Sequence, residues 1–348
     1  MSGRASALIG LLAAVMAAPA AYATYPERPL TLINPYPSNG TPDINGTPRI
    51  TKLVKMMQTL SVPSLPDSLA QQTVQILGGA LRQTVKVERR PTGQTLNGVR
   101  DATTAGADGY TLLFVGNPAL TNYPALGHKL PYDARKGLAP VAPLAWMPMA
   151  LIAATEYVAR DTQELIERAR RRSGAVNYAS PGNGSTAHLV GELFRQRAGI
   201  DVVHVPYNGS NPAMTAVITG QVEFGFVPLP AVLPYLENGK VRVLGIASSR
   251  RHPVLPQTPT LAEAGLPDFE AEGWFGIFVP AGVGPAIVSL LNYEINRGLQ
   301  DEAVQQELLL QGLLPARASV EEFRNRIERE RERWTILART LPRAAPAP

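Results

Sequence analysis

Residues 177–228 constrain the fold more than any other stretch, because apolar runs alternate there with helix-forming runs and glycine-rich turns. The order predicts a strand, a turn into an amphipathic helix, a second strand, a polar loop, a second helix and a third strand. Strands that alternate with helices form a parallel sheet covered by those helices. This stretch therefore predicts an α/β fold in which two strand-to-helix turns lie beside each other.

The first turn has the sequence Pro-Gly-Asn-Gly-Ser-Thr at residues 181–186. Its glycines permit positive φ and close approach of the backbone to a ligand, and Ser185 or Thr186 can cap the helix that follows. Free N–H groups and the positive end of the helix dipole attract a carboxylate or a phosphate. An anion can therefore be held at the first turn without a catalytic group.

The second turn covers residues 206–212, where Pro212 fits the first helical position and Asn211 or Ser210 can act as its cap. In open α/β sheets the crevice beside such turns is the usual ligand site. The alternative, that both are ordinary capped turns, stays open from these residues alone. The candidate ligand-binding residues in the two turns are Gly182, Asn183, Gly184, Ser185, Thr186, Tyr207, Asn208, Gly209 and Ser210.

The N-terminal residues 1–23 contain Arg4, an apolar run and then Ala21-Tyr22-Ala23. This order is typical of a secretory signal peptide cleaved after Ala23. The apolar run is shorter than the ~20 residues that a membrane-spanning helix needs, which favours cleavage over an anchor. Cysteine is absent from the 348 residues, which excludes disulfides, thiol catalysis and a lipid-modified cysteine.

The formal net charge of +5 raises the question of nucleic-acid binding. Much of the excess lies in four arginines at the end of one predicted helix, where cations favour the helix dipole and solvation. No zinc or helix-turn-helix signature and no basic strand with interleaved aromatic residues accompanies them, so nucleic acid is excluded as a partner. The four arginines are Arg168, Arg170, Arg171 and Arg172.

The sequence also argues against catalysis. Its four histidines lack the spacing of metal ligands, no serine lies in a G-x-S-x-G context, and the first turn lacks the Gly-Lys-Ser/Thr of a phosphate-binding loop. His188, one turn into its helix, is expected to pack beside the helix cap rather than to act as a base. We predict no catalytic residue, no metal site and no cofactor.

Three long motifs resemble one family in the right order. They are GNGSTAHLVGELF at residues 182–194, HVPYNGSNPAM at 204–214 and LPQTPTLAEAGLPDFEAEGWFGIFVPAG at 255–282. They resemble the Bug family, the periplasmic solute-binding receptors of tripartite tricarboxylate transporters, and the resemblance runs from about residue 25 to about residue 334. It implies a two-lobed α/β fold of the type II periplasmic-binding-protein kind, with a ligand cleft between the lobes.

The resemblance also implies a function. Such a receptor captures a small organic anion, here a carboxylate metabolite, and delivers it to membrane subunits of the transporter. Phe226-Val227-Pro228 stands where many family members have Phe-Asp-Asn, and this loss of an acceptor for an ammonium group argues against an amino-acid ligand. We expect a monomer in the periplasm. The alternative is a ligand-sensing or signalling protein that is no longer coupled to transport.

The first lobe departs from the family pattern. The loop after the first strand has Ser38, Asn39 and Gly40 where the family loop resembles Pro-Phe-Pro-Ala-Gly-Gly, and it is expected to form one wall of the cleft. Residues 41–66 are then an apparent insertion, either a lid or a surface excursion, before a helix that begins near Asp67. Asp67 is preferred to Asp43 as the match to the family's aspartate, because a helix follows it. Asn117, at the end of a buried strand, is either a pocket residue or a loop cap.

The chain is expected to cross between the lobes twice. Residues 24–143 and 246–348 form the predicted first lobe, and residues 144–245 form the second. A charged C-terminal helix carries Val320, Phe323, Ile327, Trp334 and Leu337 on one face, which should pack on the first lobe, while the Glu/Arg run between them should be solvated. Trp274 and Phe275 are expected to be packing residues near the hinge.

Overall fold

The computed structural model describes residues 25–37, 64–91, 95–236 and 238–341. The predicted signal peptide, residues 41–63 of the predicted insertion, the last seven residues, and Ser38, Asn39 and Gly40 lie outside the described residues. In the described part, no helix is long and apolar enough to cross a membrane.

Strands and helices alternate through most of the chain. In order, the elements are β1 (Leu30–Asn34), α1 (Leu65–Leu81), β2 (Val85–Arg89), α2 (Leu96–Thr103), β3 (Thr111–Gly116), α3 (Asn122–Ala125), β4 (Leu138–Met147), β5 (Met149–Ala154), α4 (Thr162–Arg171), β6 (Asn177–Ser180), α5 (Thr186–Ala198), β7 (Val203–Pro206), α6 (Ser210–Ile218), β8 (Phe224–Pro228), α7 (Leu229–Leu236), β9 (Val241–Ala247), β10 (Gly273–Pro280), α8 (Pro285–Gly298), α9 (Glu302–Leu310), β11 (Leu314–Pro315) and α10 (Val320–Ala338).

The described strands form two mixed sheets. The first has the order β11-β4-β10-β3-β1-β2, and the second has the order β7-β6-β8-β5-β9. In each sheet one strand lies between two parallel neighbours: β1 pairs with β2 and β3, and β6 pairs with β7 and β8. The strands on the other side pair antiparallel, which places β10 between β3 and β4 and β5 between β8 and β9. The predicted mixed α/β class is confirmed.

Each sheet has a hydrophobic core on both faces, because successive residues of a strand point to opposite sides. In β6, for example, Tyr178 packs with Phe194 of α5, whereas the next residue, Ala179, packs with Met214 of α6. The helices α5 and α6 therefore cover opposite faces of the second sheet. Their N-terminal ends lie at the same edge of it, where the parallel strands β6 and β7 end.

The passage from the first sheet to the second is short, since Pro148 alone separates β4 from β5. Strands of the first sheet lie within residues 30–147 and 273–315, and strands of the second lie within 149–247. The exact limits of the two lobes, at 143/144 and 245/246, stay a prediction.

The C-terminal helix α10 corrects one expectation. Phe323 and Ile327 pack in a core of the first sheet as predicted, but Trp334 and Leu337 are buried in a core of the second. The helix has 19 residues and is about 28 Å long at ~1.5 Å per residue, so it can reach both cores. The expectation that the Glu/Arg run is solvated is wrong for Glu330 and Arg331, which are only 5% and 3% exposed.

The helix caps show which local signals hold. Ser185 caps α5 as predicted, and Ser319 with Glu322 forms a capping box at the start of α10. The predicted cap of α6 is wrong: the helix begins at Ser210, and Gly209, with φ 106°, is its cap without a side-chain hydrogen bond. The earlier start follows from the tertiary contact of Gly209, whose N–H donates to the carbonyl of Pro181 at 2.9 Å.

Candidate functional site

The first turn is held in shape by its own hydrogen bonds. Gly182 and Gly184 have φ values of 137° and 77°, which favour glycine. Ser185 Oγ accepts the N–H of His188 at 3.1 Å and donates to the carbonyl of Gly182 at 2.7 Å. Ser185 therefore both caps α5 and closes the first turn. The N–H groups that precede His188 in α5 find no acceptor in the described part of the protein.

The second turn is tied directly to the first. The N–H of Tyr207 donates to the carbonyl of Ser180 at 3.0 Å, and the N–H of Gly209 donates to that of Pro181 at 2.9 Å. The structure therefore brings the residues predicted from two separate motifs into one surface at the edge of the second sheet. Asn183 and Asn208, which were also predicted, are exposed in the two turns.

In the first turns of the two helices that follow, four backbone donors have no acceptor among the described residues. They belong to Thr186 and Ala187 in α5, and to Ser210 and Asn211 in α6. The first N–H groups of a helix have no intrahelical partner, and the helix dipole makes this end positive. Two adjacent ends of this kind form a surface that attracts a carboxylate.

Asn117 lies opposite the first turn and is fully buried. Its Oδ1 accepts from Thr186 Oγ1 at 3.1 Å and from the backbone N–H of Trp274 at 3.4 Å. Its Nδ2 donates to the carboxylate of Glu330 at 2.7 Å. The structure thus places Asn117 beside the first turn, and its amide joins the end of β3 to α5. Direct contact with a ligand would require it to give up one of these bonds.

Two neighbours of Asn117 also contact the first turn. Asn122 Nδ2 donates to the carbonyl of Gly184 at 3.1 Å and to Thr186 Oγ1 at 3.3 Å. The ring of Tyr123 packs on Gly184 so closely that a Cβ built on this glycine would lie 2.9 Å from Tyr123 Cε1. This short segment therefore forms the wall that faces the first turn.

The loop that carries Ser38, Asn39 and Gly40 lies outside the described residues, but its start is anchored near this wall. Tyr36 Oη accepts the N–H of Gly116 at 2.8 Å, one residue before Asn117. The Tyr36 ring packs edge-on against Phe114 and Phe275, with ring centroids 5.8 Å away in both cases. Tyr36, the last aromatic residue before this loop, thus lies beside the position that faces the first turn.

Two histidines lie beneath the first turn. His188 Nδ1 accepts the N–H of Gly184 at 3.2 Å, which places the ring proton on Nε2, and its ring stacks on His204 at 4.2 Å. His204 Nε2 lies 2.7 Å from Ser180 Oγ. Burial lowers the pKa of His188, and burial with the neighbouring His188 lowers the pKa of His204 to about 3. Both imidazoles are neutral at pH 7, and the expectation that His188 packs beside the cap is confirmed.

The hydrogen-bond partners of the two turns among the described residues include no arginine or lysine. The described residues also contain no group of three or more histidine, aspartate or glutamate side chains arranged to hold a metal ion. What this site offers an anion is therefore backbone N–H groups, hydroxyls and amides around two helix ends.

The family model for the tripartite tricarboxylate transporter family receptor, TctC, matches residues 69–341. The chain belongs to the TctC family. The resemblance to the Bug receptors is confirmed as well, since BugT of Bordetella pertussis is 34% identical over 339 residues, which cover 97% of each chain.

Two solved structures of Rhodopseudomonas palustris proteins are similar to this TctC receptor. Rpa4515, solved with adipate, is 28% identical with a TM-score of 0.71, and the match covers 91% of this chain and 98% of that one. MatC (Rpa3494), solved with bound malate, is 27% identical with a TM-score of 0.68, and the match covers 90% and 100% of the two chains. The predicted periplasmic-binding-protein fold is confirmed.

Sequence reasoning about this TctC receptor missed Asn122, Tyr123 and Glu330. Asn122 and Tyr123 follow a short 3₁₀ turn and carry no motif, so nothing in the sequence marked them. The position of Glu330 in the helix, by contrast, does indicate burial. It lies three residues after Ile327 and four before Trp334, which puts it on the buried face of α10.

Proposed function

We propose that this TctC receptor captures a small carboxylate metabolite in the periplasm, between two lobes that close on it by hinge motion. The observation that carries the proposal is the pair of adjacent helix N-termini with unfilled N–H groups, of which the α5 end faces Asn117 and Asn122. The structures of related proteins with adipate and malate support the choice of a carboxylate.

The carboxylate oxygens would accept hydrogen bonds from the free N–H groups at the starts of α5 and α6. Charge-assisted bonds of this kind contribute ~1.5–3 kcal/mol each, so several such donors favour a carboxylate without an arginine. The residues predicted in the two turns would line this surface. Ser38, Asn39 and Gly40 are proposed to close it from the first lobe.

We further propose that the receptor binds its ligand without chemical turnover. The one pairing near the site that resembles a nucleophile and a base within the described residues is Ser180 with His204. Ser180 is fully buried, and a base whose pKa lies near 3 binds a proton too weakly to activate a hydroxyl at pH 7. The receptor would act as a monomer and deliver its ligand to the membrane subunits of the transporter.

The first experiment is a thermal-shift panel on residues 24–348 with mono-, di- and tricarboxylates, amino acids and aromatic acids. A ligand at ~100 times its Kd adds ~2.7 kcal/mol of stability, which raises Tm by a few degrees. A shift confined to carboxylates is the expected result. If no acid raises Tm, the proposed function is wrong, and a signalling or partner-binding role replaces it.

A Ser185→Ala substitution tests the site within this panel. The change removes the cap of α5 and the bond that closes the first turn, so we expect ~1 kcal/mol lower stability and roughly tenfold weaker carboxylate binding. Ser319→Ala is the matched control, because it removes an equivalent serine cap at the exposed start of α10. It should lower stability similarly and leave affinity unchanged. Equal affinities for the two variants, measured by calorimetry, would place the ligand elsewhere.

A further inference from the structure

A buried carboxylate lies where the two sheets and the C-terminal helix meet. Glu330 is 5% exposed and is the shared acceptor of donors from three parts of the chain. The distances from its oxygens are 2.6 Å to Trp274 Nε1, 2.7 Å to Asn117 Nδ2, 2.9 Å to Thr121 Oγ1 and 3.1 Å to Trp334 Nε1. These donors come from β10, the turn after β3, and α10 itself.

No cation balances this carboxylate within 4.0 Å in the described part of the chain. The neighbouring Arg331 instead donates to the carbonyls of Leu120 and Ala134, and Arg326 pairs with Glu270 and Glu272. All four partners of Glu330 are neutral donors, so the carboxyl group acts here only as an acceptor. Because these four donors share one buried acceptor group, each donor is held in a fixed orientation.

The orientation of Asn117 matters most for the site. An amide has a donor side and an acceptor side, and the Glu330 carboxylate fixes Nδ2 toward itself. Oδ1 must then point the other way, where it accepts the Thr186 hydroxyl. Asn122 is linked to the same network, because its Oδ1 accepts from Asn117 Nδ2 at 3.4 Å while its Nδ2 donates to the carbonyl of Gly184 at 3.1 Å.

We propose that Glu330 is a positioning residue for ligand binding, acting through Asn117 and Asn122 on the wall that faces the first turn. The inference rests on the proposed function, since it concerns the same site. Replacing Glu330 with glutamine leaves one acceptor oxygen for the four donors, and the new NH₂ group faces an N–H or O–H donor wherever it points. The network must rearrange, and Asn117 is then no longer held with its Oδ1 toward Thr186.

The test measures adipate and malate affinity by calorimetry in a double-mutant cycle of Glu330→Gln and Thr186→Val. If Glu330 acts through Thr186, Glu330→Gln weakens binding about tenfold alone and less than about twofold in the Thr186→Val background. Near-UV circular dichroism of Trp274 and Trp334 reports whether the network itself has changed. Glu294→Gln, at another buried carboxylate on α8, should leave affinity unchanged.

An equal loss in both backgrounds would show a general structural role and overturn the inference, as would unchanged affinity. If the wild-type protein binds neither these acids nor any other carboxylate of the thermal-shift panel, the proposed function fails, and this inference fails with it. If the wild-type protein binds and the cycle is additive, the inference alone is wrong.

Discussion

Gly184→Val is expected to weaken carboxylate binding at least about 100-fold, which corresponds to ~2.7 kcal/mol. Gly184 has φ 77°, a conformation that costs ~1–2 kcal/mol for a residue with a Cβ and more for a β-branched one. The new Cβ would also lie 2.9 Å from Tyr123 Cε1. Either the first turn or Tyr123 must move, and the free N–H groups of α5 then no longer face the wall.

The matched control for this variant is Gly199→Val, at the opposite end of the same helix. Gly199 has φ 59°, and a Cβ added there meets no atom within 4 Å. It should therefore show the backbone strain as lower stability, with normal affinity for adipate or malate by calorimetry. Unchanged affinity in Gly184→Val, or an equal loss in both variants, would contradict a binding site at the first turn.

The second large effect is acid destabilisation from the histidines beneath the first turn. Burial lowers the pKa of His204 to about 3, whereas an unfolded histidine titrates near ~6.5. The unfolded state therefore binds more protons between these values, and stability falls as the pH falls. The contribution is complete above ~6.5, and we expect about 2–3 kcal/mol of it to be lost by pH 4, after allowance for partial solvent screening.

His188 adds to this loss in the same direction. Burial lowers its pKa, although the nearby Glu192 partly opposes the shift. Protonated His188 would carry a proton on Nδ1 and could not accept the N–H of Gly184, so the first turn would lose an internal bond. Acid should therefore loosen the candidate site as well as lower the global stability.

Urea unfolding between pH 7 and pH 4 measures the effect. His204→Gln keeps a neutral polar group and should lose about 2–3 kcal/mol less stability over this range than the wild-type protein. His128→Gln is the control, since His128 is an exposed histidine, and its pH dependence should match that of the wild type. Parallel curves for the wild type and His204→Gln would contradict a buried neutral His204.

Much of the local structure follows from the sequence. The alternation of strands and helices in residues 177–228, the Ser185 cap and the Ser319–Glu322 capping box depend on residues at most four positions apart. Their energetics are therefore contained in the local sequence. The parallel pairing of β6 and β7 follows from the alternation itself, because strands joined by a helix run parallel in a sheet, and the turns that follow them then meet at one edge.

Local signals failed where a distant contact outweighed them. Pro212 fits the start of a helix, but Gly209 bonds to Pro181 and α6 begins two residues earlier. The apolar face of α10 was visible in the sequence, whereas its division between two cores was not. Which core a helix covers depends on how the sheets are placed, and periodicity carries no information about that.

The sequence by itself determined the α/β class, the family and the two turns that precede α5 and α6. Only the tertiary structure decided what faces those turns. Asn117 and Glu330 are 213 positions apart, and their contact exists because α10 returns across the junction of the two sheets. Burial there makes an unpaired polar group costly, so the carboxylate, the amides and the indoles must satisfy one another. That requirement arises from the assembled core and from no single segment of the chain.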